Sequence, residues 1–203
     1  MTEKKDARIC IIGNGASLID TPLGNTIDTF DVVGRINNFS LPGYEKYAGS
    51  RTDIWFNGAN QKLRKRPLPS QTVVFIPSSI LKRKGSAIHR RIFKRLGVSN
   101  QSRYHLVPQK EIESIEQRTR CARVTTGTAA ILWAVDNYRE VCIHGFDFFV
   151  DSQTHYNDPF ITRFLIERGI IKKAQKHDTY REKEYVYSLA EQGRLSFLSP
   201  PPI

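Results

Sequence analysis

His155 lies beside Tyr156 in THYND (154–158), and His177 leads Glu182 through the spacing His-x4-Glu in KHDTYRE (176–182). An imidazole titrates near neutral pH and can move a proton, and a nearby carboxylate can orient and charge-stabilise the ring. Two turns could hold an anion. Gly13-Asn14-Gly15 closes the apolar run in ICIIGNGASL (9–18), with Ser17 just beyond. Its glycines permit a tight turn and close backbone approach, and amides at a following helix start suit a phosphate. Thr125-Thr126-Gly127-Thr128 opens a second helix with hydroxyls and free amides, which suit a phosphate or carboxylate. A plain N-cap accounts for one of those threonines equally well. Asp147 and Asp151, in GFDFFVD, are four apart with no neighbouring histidine ligand, so no metal is expected.

The elements that must position these residues read as strands alternating with helices. RICIIG (8–13), DVVGRIN (31–37), TDIWFN (52–57), TVVFIP (72–77), YHLVP (104–108), EVCIHGF (140–146) and RLSFL (194–198) read as strands. Several are apolar on both faces, as in a parallel sheet covered by helices. TTGTAAILWAVDNY (125–138) reads as a buried helix, while QKEIESIEQ (109–117) and REKEYVYSLAEQ (181–192) read as amphipathic ones. The alternation predicts one α/β domain over residues 1–203, a doubly wound, Rossmann-like and mostly parallel sheet with helices on both faces. Ligands in such sheets bind beyond the carboxyl ends of the strands, where both turns fall. SLPGYEKYAG (40–49) has turn chemistry, and residues 148–180 read as an active-site loop or lid.

The chain has 203 residues and a formal net charge of +11, which favours anionic partners. Much of the charge falls in KLRKRP (62–67) and LKRKGSAIHRRIFKRLG (81–97). A solvated basic face explains these clusters, and so does peripheral contact with an acidic membrane through segments 62–66 and 82–95. No apolar run is long enough to span a bilayer, and MTEKKDAR lacks a signal peptide's apolar core. Cys10, Cys121 and Cys142 form neither a zinc spacing nor a disulfide framework. Buried, reduced thiols and a cytoplasmic location are the expectation.

Two other function classes leave marks. A nicotinamide enzyme would use Gly13-x-Gly15, with Arg35 for a 2′-phosphate, but its third glycine is replaced by Leu18 and no acid ends the second strand. A nucleic-acid module would use the basic clusters but leaves the histidines and the Thr-Gly turn unexplained, so no specific nucleic acid is expected.

Taken together, these stretches resemble a family. ICIIGNGASLIDTPLGNTIDTFDVVGRINNF, followed by YAGSRTDIWF, is similar to the long sialyl motif of the sialyltransferases. VTTGTAAILWAVDNYREVCIHGFDFF is similar to their small motif, HYND to the third, and His177-x4-Glu182 to the very small one. Order and approximate spacing agree over residues 8–198, closest to glycosyltransferase family 29, with some likeness to the compact bacterial family 42 enzymes.

The resemblance implies a GT-A-like variant of the doubly wound fold. It implies inverting, metal-independent transfer of a sugar from a CMP-activated donor, most often CMP-sialic acid, to a glycan or glycolipid hydroxyl, with no cofactor. It also assigns residues. Gly13, Asn14, Gly15, Ser17 and Asn37 would line the donor site, as would Thr125, Thr126, Gly127, Thr128, Gly145, Phe146 and Asp147. Asn14 and Asn37 would contact the nucleotide, and the Thr125–Thr128 turn would hold nucleotide and donor carboxylate. His155 and Tyr156 would meet the leaving phosphate, His177 would be the general base, and Glu182 would support helix and ring. Departures leave parts open. Tyr138 and Arg139 stand where animal members carry a disulfide cysteine, and NDPF differs from the commoner aromatic after HY. No anchor or stem like that of Golgi members is expected. The acceptor is unspecified, and CMP-Kdo stays an alternative donor.

Overall fold

The computed structural model describes residues 4–148 and 178–200. In chain order the elements are β1 (Lys5–Ile12), α1 (Gly24–Ile27), β2 (Val32–Ile36), α2 (Glu45–Ala48), β3 (Ile54–Asn57), β4 (Gln71–Val74), α3 (Ser78–Lys84), α4 (Ile88–Leu96), β5 (His105–Leu106), α5 (Gln109–Thr119), α6 (Thr126–Asn137), β6 (Tyr138–His144), α7 (Thr179–Glu191) and β7 (Ser196–Phe197). The strands form one sheet, ordered β5-β4-β3-β2-β1-β6-β7, with every neighbouring pair parallel. The chain steps outward from β1 to β5 and returns to β6 on the other side of β1. The order therefore reverses between β1 and β6, and the crevice beyond their carboxyl ends is the natural ligand site.

β1 is buried on both faces because both are covered. Ile9 and Ile11 pack into a core with Phe56, Val73 and the residues of α6, while Cys10 and Ile12 pack into another with Leu18, Ile27 and Val33. This period-two division is the strand geometry that the unbroken run RICII conceals. The two layers are unequal. α5, α6 and α7 pack together over the first face, whereas the second carries, beside β1, the four-residue α1 and α2 and a 3₁₀ turn over Ala16–Ile19; α4 packs through His89 and Phe93 on Tyr104, just before β5. α6 is buried from Thr128 through Val135, and its Trp133 ring meets Phe56 edge-on at 5.6 Å. It passes into β6 without a loop, so the chain returns to the end of the sheet where α6 began.

Several expected bounds change. The runs at 104–108 and 194–198 shrink to the two-residue edge strands β5 and β7, which are hydrogen-bonded on one side only. The stretch 40–49 contains α2 rather than coil alone. The basic segment 81–97 carries most of α3 and all of α4. Ile88, Ile92 and Leu96 are buried at a four-residue repeat, and Gly97 ends α4 in the left-handed region at φ 74°. Cys10, Cys121 and Cys142 are buried and free, and Cys10 stands beside Cys142 across the β1–β6 pair. The hydrogen bond between these two thiols lowers Cys142 to about 7, against the effect of burial, and raises Cys10.

Candidate active site

The turn after β1 is latched to the turn after β6. The Gly13 amide donates to the His144 carbonyl at 2.8 Å, and the Gly15 amide to the Gly145 carbonyl at 2.8 Å. A β-carbon on Gly13 would collide with the Gly145 carbonyl, and one on Gly15 with the Asp147 carboxylate. These glycines thus let two loops touch, and their amides are occupied. Ser17 completes the latch, its amide 3.2 Å from Asp147 Oδ2 and its hydroxyl bonded to Oδ1. Of the residues expected to line the donor site, Gly13, Gly15 and Asp147 do line the cleft, but the two glycine amides and the Asp147 carboxylate are taken up by the latch, and Ser17 serves the latch rather than the cleft lining. Asn14 spans to β2 instead, Nδ2 donating to the Ile36 carbonyl at 2.9 Å. Asn37 follows at φ 46°, a conformation asparagine tolerates. Its carbonyl accepts from Trp55 Nε1 at 2.8 Å and its Oδ1 from the Gly58 amide at 3.1 Å.

The turn before α6 is built differently. Buried Glu182, from the first turn of α7, accepts the Thr125 amide at 3.1 Å on each carboxylate oxygen and the Thr125 hydroxyl at 2.7 Å. Thr125 Oγ1 in turn caps α6 by accepting the Thr128 amide at 3.2 Å. The first two helical amides, those of Thr126 and Gly127, have no acceptor among the described residues. They lie at the positive end of a twelve-residue helix and line a cleft of about 340 Å³. Thr125 is therefore a scaffold for the turn, and Thr126 and Gly127 supply its donors. Phe146 packs beside Gly127, 3.0 Å from where that residue's β-carbon would stand.

The cleft draws on both turns. Gly13, Asn14 and Gly15 line it from β1, Asn37 from β2, Thr125–Thr128 from α6, Gly145–Phe148 from β6, and Thr179 and Glu182 from α7. Its volume suits a small ligand. Sequence reasoning missed another wall, Asn60, Lys62, Leu63 and Arg64, which follows β3. The signal was available, since these residues come just after a strand's carboxyl end. Asn38 fixes the wall through Nδ2 to the Lys62 carbonyl (2.9 Å) and Oδ1 from the Arg64 amide (2.8 Å). Lys62 and Arg64 bring positive charge, while the lining acids Asp147 and Glu182 are already hydrogen-bonded within the protein. Arg66, in the same basic segment, stacks 3.7 Å above the Phe39 ring. Arg35 is buried rather than facing a 2′-phosphate, donating to the carbonyls of Arg51 and Ala48 at 2.8 Å each and of Gly49 at 3.1 Å. His155, Tyr156, His177, Asp151 and the segment 149–177 lie outside the described residues. Among the described residues no three His, Cys, Asp or Glu side chains gather as a metal-ligand set.

Sheet order, crevice and helix-end donors define a doubly wound α/β protein with an anion-suited cleft at its topological switch point. The family model for glycosyltransferase family 29 (sialyltransferase) matches residues 1–194. The chain belongs to that family. It is 25% identical over 219 residues to the CMP-N-acetylneuraminate-beta-1,4-galactoside alpha-2,3-sialyltransferase of Rattus norvegicus, covering 95% of this chain and 57% of that protein. The human protein of that name matches over the same shares, also at 25% identity. The chain thus spans little more than half the length of these curated relatives. A crystal structure of a mammalian sialyltransferase superposes with a TM-score of 0.70 at 17% identity, over 95% of this chain and 69% of that one, a likeness of fold.

Proposed function

We propose that this protein transfers a sialic acid from CMP-sialic acid to a glycan hydroxyl, with inversion and without a metal ion. What supports the reading, beside family membership, is one observation. Turns more than a hundred residues apart in sequence line a single cleft that offers two helix amides without an acceptor among the described residues, together with two cations. The nucleotide phosphate would rest against the Thr126 and Gly127 amides, with Lys62 and Arg64 closing the other side. Asn14 and Asn37 would line the nucleotide's flank.

In the proposed reaction the acceptor oxygen attacks the anomeric carbon as the bond to CMP breaks, on the opposite face, which inverts the centre. Negative charge grows on the departing phosphate. Donors already aimed at it lower the barrier by about 3 kcal/mol each. His177 takes the proton of the acceptor hydroxyl, while His155 and Tyr156 meet the phosphate. A general base contributes roughly 10²–10⁴-fold. Glu182 acts through Thr125 as a positioning residue for the α6 turn. A CMP-Kdo donor would use the same contacts. Peripheral membrane contact would use the exposed cations of both basic segments, Lys62, Arg64 and Lys65 in 62–66 and Lys82, Arg83, Lys84, Arg90 and Lys94 in 82–95, with Arg66 instead resting on Phe39.

Calorimetry with CMP, NADP⁺ and ATP tests the reading, because a ligand that binds the folded state also raises its stability. CMP should bind and NADP⁺ should not, and transfer from CMP-sialic acid should survive EDTA. Stabilisation by NADP⁺ alone would reject the transferase.

A further inference from the structure

α7 begins on the cleft. Its N-cap is Asp178, whose Oδ1 accepts the Arg181 amide at 3.3 Å and whose carbonyl accepts the Glu182 amide at 3.2 Å. Thr179 and Tyr180 follow as the first two residues of this thirteen-residue helix, and their amides have no acceptor among the described residues. Thr179 lines the cleft and is buried, with 6% of its surface exposed. Its hydroxyl oxygen is buried as well and has no hydrogen-bond partner among the described residues.

The helix itself gives this hydroxyl no use. Inside a helix a threonine hydroxyl can donate to the carbonyl three or four residues back, as Thr119 does to Ile115 at 3.0 Å. At the first helical position no helical carbonyl stands behind it, and capping already falls to Asp178. The hydroxyls of Thr125 and Thr128, by contrast, bond each other at 3.1 Å. Thr72 shares the lack of a partner, but it lies in β4 and does not line the cleft. A buried hydroxyl with no partner destabilises the folded protein relative to a methyl of the same shape. On a cleft wall the missing partner is one that a ligand can bring.

The surroundings select the kind of ligand. Asp178 and Glu182 already supply the negative charge that a helix start favours, so a neutral hydroxyl suits this place better than a second anion. The next residue, Tyr180, is 60% exposed, the one large aromatic or apolar side chain so open among the described residues. A sugar ring has hydroxyls at its edge and apolar C–H faces, which match a hydroxyl with an aromatic ring beside it. We infer that the Thr179 hydroxyl binds a hydroxyl of a sugar, which makes the start of α7 the sugar-recognising side of the cleft. The inference rests on the cleft being the site of transfer. The sugar belongs either to the donor's sialic acid or to the acceptor.

Calorimetry with CMP, CMP-sialic acid and lactose tests it, on the unaltered protein, Thr179→Val and Thr179→Ser, with lactose titrated both with and without CMP. Valine keeps the shape of threonine and removes the hydroxyl. Thr179→Val should bind CMP as before and at least one sugar-bearing probe about tenfold more weakly. Thr179→Ser should recover most of that loss. Loss confined to CMP-sialic acid assigns the hydroxyl to the donor's sugar, loss confined to lactose assigns it to the acceptor, and loss in both places it between them. The urea midpoint of Thr179→Val should equal or exceed the original, because the ligand-free hydroxyl has no bond to lose. A clear fall in that midpoint would overturn the inference, since it would reveal a hydroxyl bonded within the protein. So would unchanged binding of CMP-sialic acid in Thr179→Val, if lactose also binds equally, or not at all, in both proteins. CMP weakened as much as the sugars would overturn it too. Failure of the unaltered protein to bind CMP would fall on the proposed function instead, and lactose alone with the urea midpoint would then decide the inference.

Discussion

The turns after β1 and before α6 look alike in sequence, each with glycine among small polar residues at a helix start. Their amides do opposite things. At 13–17 the amides of Gly13, Gly15 and Ser17 bond to the β6 loop, so the turn fastens the two central strands together. At 125–128 the amide of Thr125 is taken by Glu182 and that of Thr128 by Thr125, leaving the two between them facing the cleft. A glycine pattern therefore announces close approach without saying what approaches. At the first turn it is another stretch of backbone, and at the second the open side faces the cleft.

Substitutions can break this contrast. The largest effect is expected from Gly13→Ala, whose new methyl has nowhere to go but into the Gly145 carbonyl. A loss of more than about 3 kcal/mol in urea denaturation is expected, and a midpoint near the original would show that the latch is loose. Next comes Glu182→Ala, which strands the Thr125 amide and hydroxyl. It should cost about 2–3 kcal/mol and also weaken CMP, because the α6 turn loses its brace. Unchanged CMP affinity would mean that the turn holds its shape unaided. Ser17→Ala should cost about 1 kcal/mol and leave CMP affinity intact, which calorimetry would check.

The smallest effect is one of pH. Burial holds the His144 imidazole below its ordinary value, against the pull of Asp147 and Asp20. The unfolded chain then takes up the proton first. Stability should be full above about pH 6.5 and decline as pH falls from there toward the folded-state value. His144→Gln should flatten that decline, and an unchanged slope would assign it to other groups.

How much was legible follows from the same physics. β1, β2, β3 and β6 were readable because strands covered on both faces are written as apolar runs. α4 was hidden because the four-residue repeat of Ile88, Ile92 and Leu96 lies among five basic side chains, His89, Arg90, Arg91, Lys94 and Arg95, which drew the eye as a charge cluster. Lys62 and Arg64 were missed as site residues for a related reason. Composition marks them as surface, and only their place after β3 turns them toward the cleft. The turn at 13–17 was recognisable as a turn, but its latch partner lies 130 positions away at Asp147, beyond any local pattern. Glu182 was legible as a helix-start acid, while its bond to Thr125 depends on α7 packing beside α6.

The central claim is that the Thr126 and Gly127 amides hold the nucleotide phosphate. Thr126→Pro removes one of those amides at the first helical position, where proline is well accommodated, and the preceding Thr125, at φ −67° and ψ 156°, already has the conformation proline demands. Thr126→Ala, which removes the hydroxyl alone, serves as its control. The account predicts that calorimetry finds CMP binding weakened about tenfold or more in Thr126→Pro relative to Thr126→Ala, with both proteins folded and similarly stable. Equal CMP affinity in the two would contradict it.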